Sequence, residues 1–134
     1  MNKIAPEKYR SILDGIQLSN ILLKNISSNI DHSLLPEISK VNITDKASFE
    51  NTDEGFTIEN KYSLSVKNKK RIVLKIDATY LVDFTSDNVI TEDFFEIYKE
   101  ISLPLNVWPF FRELVNSITS KMYIPPLTLP LLKR

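Results

Sequence analysis

Alternating apolar and polar positions dominate the middle of the chain. Val41, Ile43, Ala47 and Phe49 share one parity, and Asn42, Thr44, Lys46, Ser48 and Glu50 share the other. Phe56, Ile58, Tyr62, Leu64 and Val66 then alternate with Thr57, Glu59, Lys61, Ser63, Ser65 and Lys67. Ile72, Leu74, Ile76, Ala78, Tyr80, Val82 and Phe84 alternate with Arg71, Lys75, Asp77, Thr79 and Asp83. A period of two with one polar face predicts three antiparallel strands, packed on one side of the sheet and wetted on the other. The turn Asn51-Thr52-Asp53-Glu54-Gly55 places Gly55 where a positive φ is expected, and Asn68-Lys69-Lys70 makes a second, tight turn.

The flanking segments carry other periods. From Pro6 to Leu18, Tyr9, Ile12, Leu13 and Ile16 recur at helical spacing, with Pro6 suited to a first turn and Gly15 loosening the end. Leu18 to Ile30 spaces Ile21, Leu23 and Ile26 unevenly, which predicts a strand with a bulge near Asn25. Asp31 to Ser39 reads as a loop. After the third alternating run, Thr91 is an expected N-cap with Glu92 and Asp93 in the first turn, and Phe94, Ile97, Tyr98 and Ile101 mark one helix face that Pro104 ends. A longer helix is predicted from Trp108 to Met122, with Pro109 in its first turn and a stripe of Trp108, Phe111, Val115, Ile118 and Met122. Tyr123 to Arg134 is expected to be extended. The sum is α+β: a four-stranded antiparallel sheet with helices on one face, formed by residues 1–134 as one domain.

Composition removes most chemistries. There is no cysteine and one histidine, so thiol catalysis, disulfides, and cysteine- or multi-histidine-bound metals within one chain are excluded. Two isolated glycines, Gly15 and Gly55, cannot build a phosphate-cradling loop. Seventeen basic and seventeen acidic side chains give zero formal charge, which argues against nucleic-acid and polybasic membrane contacts. No run reaches the roughly 18–20 apolar residues of a membrane span, and no apolar run of signal-peptide length follows Met1, so a soluble cytoplasmic protein without membrane insertion is expected.

The remaining chemical candidates are weak. His32 has no nucleophile or orienting partner marked by spacing. Glu96 and Glu100 at i, i+4 could hold a metal or act as acid and base, but Lys99 beside them reads as a solvated helix face. Lys67, Lys69, Lys70 and Arg71 form a basic hairpin tip without interleaved aromatics, which reads as a solubilising turn. No enzyme, cofactor or metal site is expected. A small-molecule pocket or hydrolase is the weakest alternative.

Bulky apolar residues are the surplus. Leu34, Leu35 and Ile38 lie in a loop, Phe94, Phe95 and Tyr98 crowd a short helix, and Tyr123, Ile124, Leu127, Leu129, Leu131 and Leu132 fill a proline-rich tail. One small core is not expected to absorb them all, and exposed apolar patches mark oligomer interfaces or partner grooves.

The stretch Val107-Trp108-Pro109-Phe110-Phe111-Arg112-Glu113-Leu114-Val115, continuing to Met122-Tyr123-Ile124-Pro125-Pro126-Leu127-Thr128-Leu129, resembles the SecB family of export chaperones. It is most similar to the SecB-like members, including those that serve toxin–antitoxin systems. The motif covers about 25 residues, and the upstream order of elements agrees with the family's. The resemblance implies an ATP-independent holdase for non-native polypeptide, an unfolded preprotein or an antitoxin, built as a homotetramer from a dimer of dimers. It also implies a client groove lined by Leu34, Leu35, Ile38, Phe94, Phe95, Tyr98, Tyr123, Ile124, Leu127 and Leu129. Handover to the SecA motor is a family property whose usual marks, an acidic sheet and a motor-contacting tail, differ from this chain's mixed sheet face and its Leu131-Leu132-Lys133-Arg134 end. A dedicated antitoxin chaperone fits those departures equally well.

Overall fold

The computed structural model describes residues 4–32, 40–122 and 129–130. In chain order the elements are α1 (Pro6–Asp14), β1 (Ile16–Ile30), β2 (Lys40–Asn51), β3 (Gly55–Asn68), β4 (Arg71–Ser86), α2 (Glu92–Ile101) and α3 (Leu103–Lys121). The strands form one antiparallel sheet in the order β1-β4-β3-β2. The α+β reading holds. Because β1 and β2 occupy opposite edges, the connection from Asp31 to Ser39 links one edge of the sheet to the other.

The alternation works as expected on the inner strands. Phe56, Ile58, Tyr62, Leu64 and Val66 of β3 and Leu74, Ile76, Ala78, Tyr80, Val82 and Phe84 of β4 are buried beneath the helices. Val107, Phe111 and Val115 of α3 complete this core, and Phe111 stacks on Tyr62 with ring centroids 4.7 Å apart. α1 joins through Tyr9, whose ring lies 4.9 Å from that of Phe94. Asn51 and Ile90 exchange two hydrogen bonds (3.2 and 3.1 Å), which seats the β4–α2 connection on the end of β2.

Several boundaries differ from the expectation. α1 stops at Asp14 and β1 begins at Ile16, so Gly15 separates helix from strand. β1 carries the bulge expected near Asn25, between Leu23 and Asn25, and a second register shift between Leu18 and Asn20. Ile72 is exposed, not on the apolar face, where the β3–β4 register shifts between Val66 and Lys67; its neighbour Val73 is buried outside the main core cluster. Gly55 does not have a positive φ. It is required by close approach to β4, where a Cβ would meet the Phe84 carbonyl oxygen.

The helices are also rearranged. α3 starts at Leu103, five residues before Trp108, and Pro104 opens it where Pro104 was expected only to end α2. Pro109 therefore lies inside the helix. It cannot donate to the Leu105 carbonyl, but Leu105 is exposed, so water can satisfy that oxygen. The buried stripe of α3 runs Leu103, Val107, Phe111, Val115 and Thr119 at i+4 spacing; it shares Phe111 and Val115 with the expected stripe, whose Trp108, Ile118 and Met122 pack partly buried against the core. Thr91 does sit at the N-cap of α2, but its hydroxyl donates to the Asp93 carboxylate. That bond, with the Phe94 N–H at 2.9 Å, holds the Asp93 carboxyl below the usual carboxylate range.

Candidate functional site

The expected apolar surplus divides in two. Phe94, Phe95 and Tyr98 are buried, with exposures of 0, 2 and 4%. Phe95 packs on Phe49 with centroids 4.7 Å apart, and the Tyr98 hydroxyl accepts from Asn106 Nδ2 at 2.7 Å. These side chains are core because the sheet's apolar face is wide enough to absorb both faces of a short helix. Leu129 is buried as well. Leu34, Leu35, Ile38, Tyr123, Ile124 and Leu127 lie outside the described residues.

The apolar surface that the structure leaves open lies elsewhere. On β1, Leu18, Leu23 and Ile26 are opposite Phe84, Tyr80 and Ala78, so they share the sheet face that carries the helices. They are nevertheless 41–44% exposed. The helices stop short of this edge, and they also leave Val41 open on the opposite edge strand. Leu22, opposite Leu81, adds an exposed side chain on the other face. Ile101 of α2 and Leu105 and Phe110 of α3 are further exposed apolar side chains. Sequence reasoning missed the β1 strip because two register shifts scramble its alternation, although five large aliphatics in nine residues are visible there.

Side-chain hydrogen bonds join the end of β1 and residues 129–130 to α3. His32 Nε2 lies 2.9 Å from the Met122 carbonyl, joining the end of β1 to the end of α3. Arg112 Nε donates to the Leu129 carbonyl at 2.6 Å and Trp108 Nε1 to the Pro130 carbonyl at 2.9 Å. The loop after His32 and the tail after Met122 thus depart from one place. The i, i+4 spacing of Trp108 and Arg112 was the signal available in the sequence.

Little here resembles a catalytic centre. Glu96 pairs with Lys99 at 3.1 Å, as a solvated helix face would. A cleft of about 580 Å³ is open and lined by Asp45, Lys46, Ala47, Lys99, Glu100 and Pro104. Tyr62, which lines a separate pocket with Asp45 and Lys61, has its hydroxyl raised well above the ordinary phenol range, by burial first and by Asp45 and Tyr80 after that, so it stays protonated. Among the described residues no group of three or more His, Asp or Glu side chains could hold a metal. No described helix is long and apolar enough to cross a membrane.

No family model matches the sequence, and no curated protein matches it. Solved structures do. The chain is similar to the SecB-like chaperone Rv1957 of Mycobacterium tuberculosis, solved in complex with a ChAD peptide from the HigA1 antitoxin Rv1956. The TM-score is 0.76 over 90% of both chains, with 19% sequence identity. A protein of unknown function from Streptococcus agalactiae superposes with a TM-score of 0.46 at 13% identity, covering 87% of this chain and 97% of that one.

Proposed function

We propose that this chain is an ATP-independent chaperone that holds a non-native polypeptide, with one dedicated partner of the antitoxin class as its main client. The observation that carries the reading is the shared fold, over nine-tenths of both chains, with a SecB-like chaperone solved with an antitoxin peptide. The surplus of apolar side chains outside the core supports it.

In this reading Leu34, Leu35, Ile38, Tyr123, Ile124 and Leu127 contact the client. The two segments that carry them start side by side at His32 and Met122. Phe94, Phe95, Tyr98 and Leu129 pack beneath and fix the helices. An extended client gains about 25 cal/mol for each Å² of apolar surface it buries, and no bond need be made or broken. The exposed β1 strip, with its unpaired edge, serves assembly into the dimer and tetramer. The open sheet face mixes Lys61, Lys67 and Lys75 with Glu59, Asp77 and Asp83, and ion pairs such as Lys24–Glu59 (3.6 Å) lie on it. That balance favours a dedicated partner over docking on an export motor, whose handover needs an acidic face.

Binding of a panel of peptides tests the reading. A dedicated chaperone binds one partner peptide far more tightly than segments of unrelated unfolded proteins. Similar affinity for all of them indicates a general holdase for export. No binding to any peptide overturns both.

A further inference from the structure

Two consecutive main-chain carbonyls near the end of the chain are gripped by two side chains of one helix. Arg112 Nε reaches Leu129 O, and Trp108 Nε1 reaches Pro130 O. The donors stand one turn apart on α3 and so share a face. At the same place the Leu129 side chain is buried in the main core cluster, whereas Pro130 is exposed. The indole is itself held against Tyr62 and Phe111, with centroids 5.9 and 6.1 Å away.

This arrangement reads an extended peptide without reading its sequence. Every residue offers a carbonyl, and a charged guanidinium and an indole N–H are strong, directional donors to it. The only side-chain requirement is one leucine-sized group for the buried pocket. Pro130 has no N–H, so the segment cannot extend a sheet ladder here. Nothing in the contact requires that the peptide be covalently attached.

We propose that the Trp108–Arg112 face is a peptide-binding site that the chain's own Leu129-Pro130 fills in cis, and that an extended client segment with a leucine-like side chain takes the same place in trans. The inference rests on the polypeptide-binding reading above and adds a regulator to it. The tail is a built-in competitor, and the apparent affinity for a client falls in proportion to the fraction of molecules whose site is free.

The test uses the full chain and a fluorescein-labelled synthetic peptide with the sequence of residues 123–134, followed by anisotropy. Wild-type protein, with its tail seated, binds the peptide weakly. Leu129→Ala, which empties the pocket, binds it about tenfold more tightly or better, as expected when a mostly occupied site is freed. Should Leu129→Ala fail to fold, Pro130→Gly loosens the tail without touching the core and is expected to shift binding in the same direction. Trp108→Phe added to either variant reverses the gain. The chain has one tryptophan, so its indole N–H resonance reports the same exchange without a label. Wild-type affinity in both Leu129→Ala and Pro130→Gly, or an indole resonance of Leu129→Ala indifferent to saturating peptide, overturns the proposal. Aggregation suppression measured on the same samples separates the two ideas: its absence in every variant defeats the chaperone reading and leaves the anisotropy result to judge the cis site.

Discussion

Gly55 is pressed against the main chain at Phe84, so closely that an added Cβ would stand 2.0 Å from the Phe84 carbonyl oxygen and 2.8 Å from its carbonyl carbon. The obstacle is backbone where β3 opens, with Gly55 opposite Thr85 near the end of β4, and moving either strand away would disturb the first ladder bonds of the pair. Gly55→Ala is therefore expected to destabilise by more than the roughly 1–3 kcal/mol of ordinary overpacking. Urea unfolding checks it, with a lower midpoint and an unchanged slope. A midpoint like that of the wild type would mean that the turn is not seated as described.

The helix aromatics and the crossover-loop leucines should separate cleanly on mutation. Phe94→Ala removes a fully buried ring and is expected to cost about 3–5 kcal/mol. Leu34→Ser and Leu35→Ser are expected to weaken client binding while the unfolding midpoint stays near that of the wild type. Comparing unfolding curves with client affinity for the three variants decides the assignment. Strong destabilisation by the loop variants would place those leucines in the core.

Leu23→Lys and Ile26→Lys put charge on the exposed strip of β1. Each is expected to cost the protomer only about 1 kcal/mol, since both side chains are already 42–44% exposed. Both should break the assembly, as read by sedimentation velocity. An oligomer unchanged by both substitutions would remove β1 from the interface.

Stability should decline on the alkaline side. Burial pushes the Tyr80 hydroxyl up to about 12, with Glu113 adding to it. Burial also raises Tyr98 to about 12, against an opposing hydrogen bond from Asn106. A folded-state value above the unfolded one, near 10, means that the native state keeps its protons longer. Stability is thus complete below about pH 10 and falls as pH rises towards 12, through the window in which only the unfolded chain is ionised. Tyrosinate absorbance and circular dichroism recorded together check this. The part of the absorbance that comes from Tyr62, Tyr80 and Tyr98 should rise with unfolding, not ahead of it.

The sheet was legible because β2, β3 and β4 alternate strictly, and a period of two leaves little choice of face. β1 was half legible: its bulge near Asn25 shows in the spacing, but the shift after Leu18 and the edge position do not. The start of α3 was misplaced because Pro104 reads equally as the end of one helix and the first turn of the next. Burial of Phe94, Phe95 and Tyr98 was hidden because sequence spacing does not state how much sheet a short helix covers. The grip of Trp108 and Arg112 on Leu129 and Pro130 depends on a return of the chain that no local pattern encodes.

Light scattering from a chemically unfolded client, diluted into buffer without nucleotide, bears most directly on the chaperone reading. The protein is expected to suppress the scattering at near-stoichiometric amounts, and the Leu34→Ser/Leu35→Ser double variant, folded to the same extent, is expected to lose most of that effect. Scattering that rises equally with and without the wild-type protein would contradict the account.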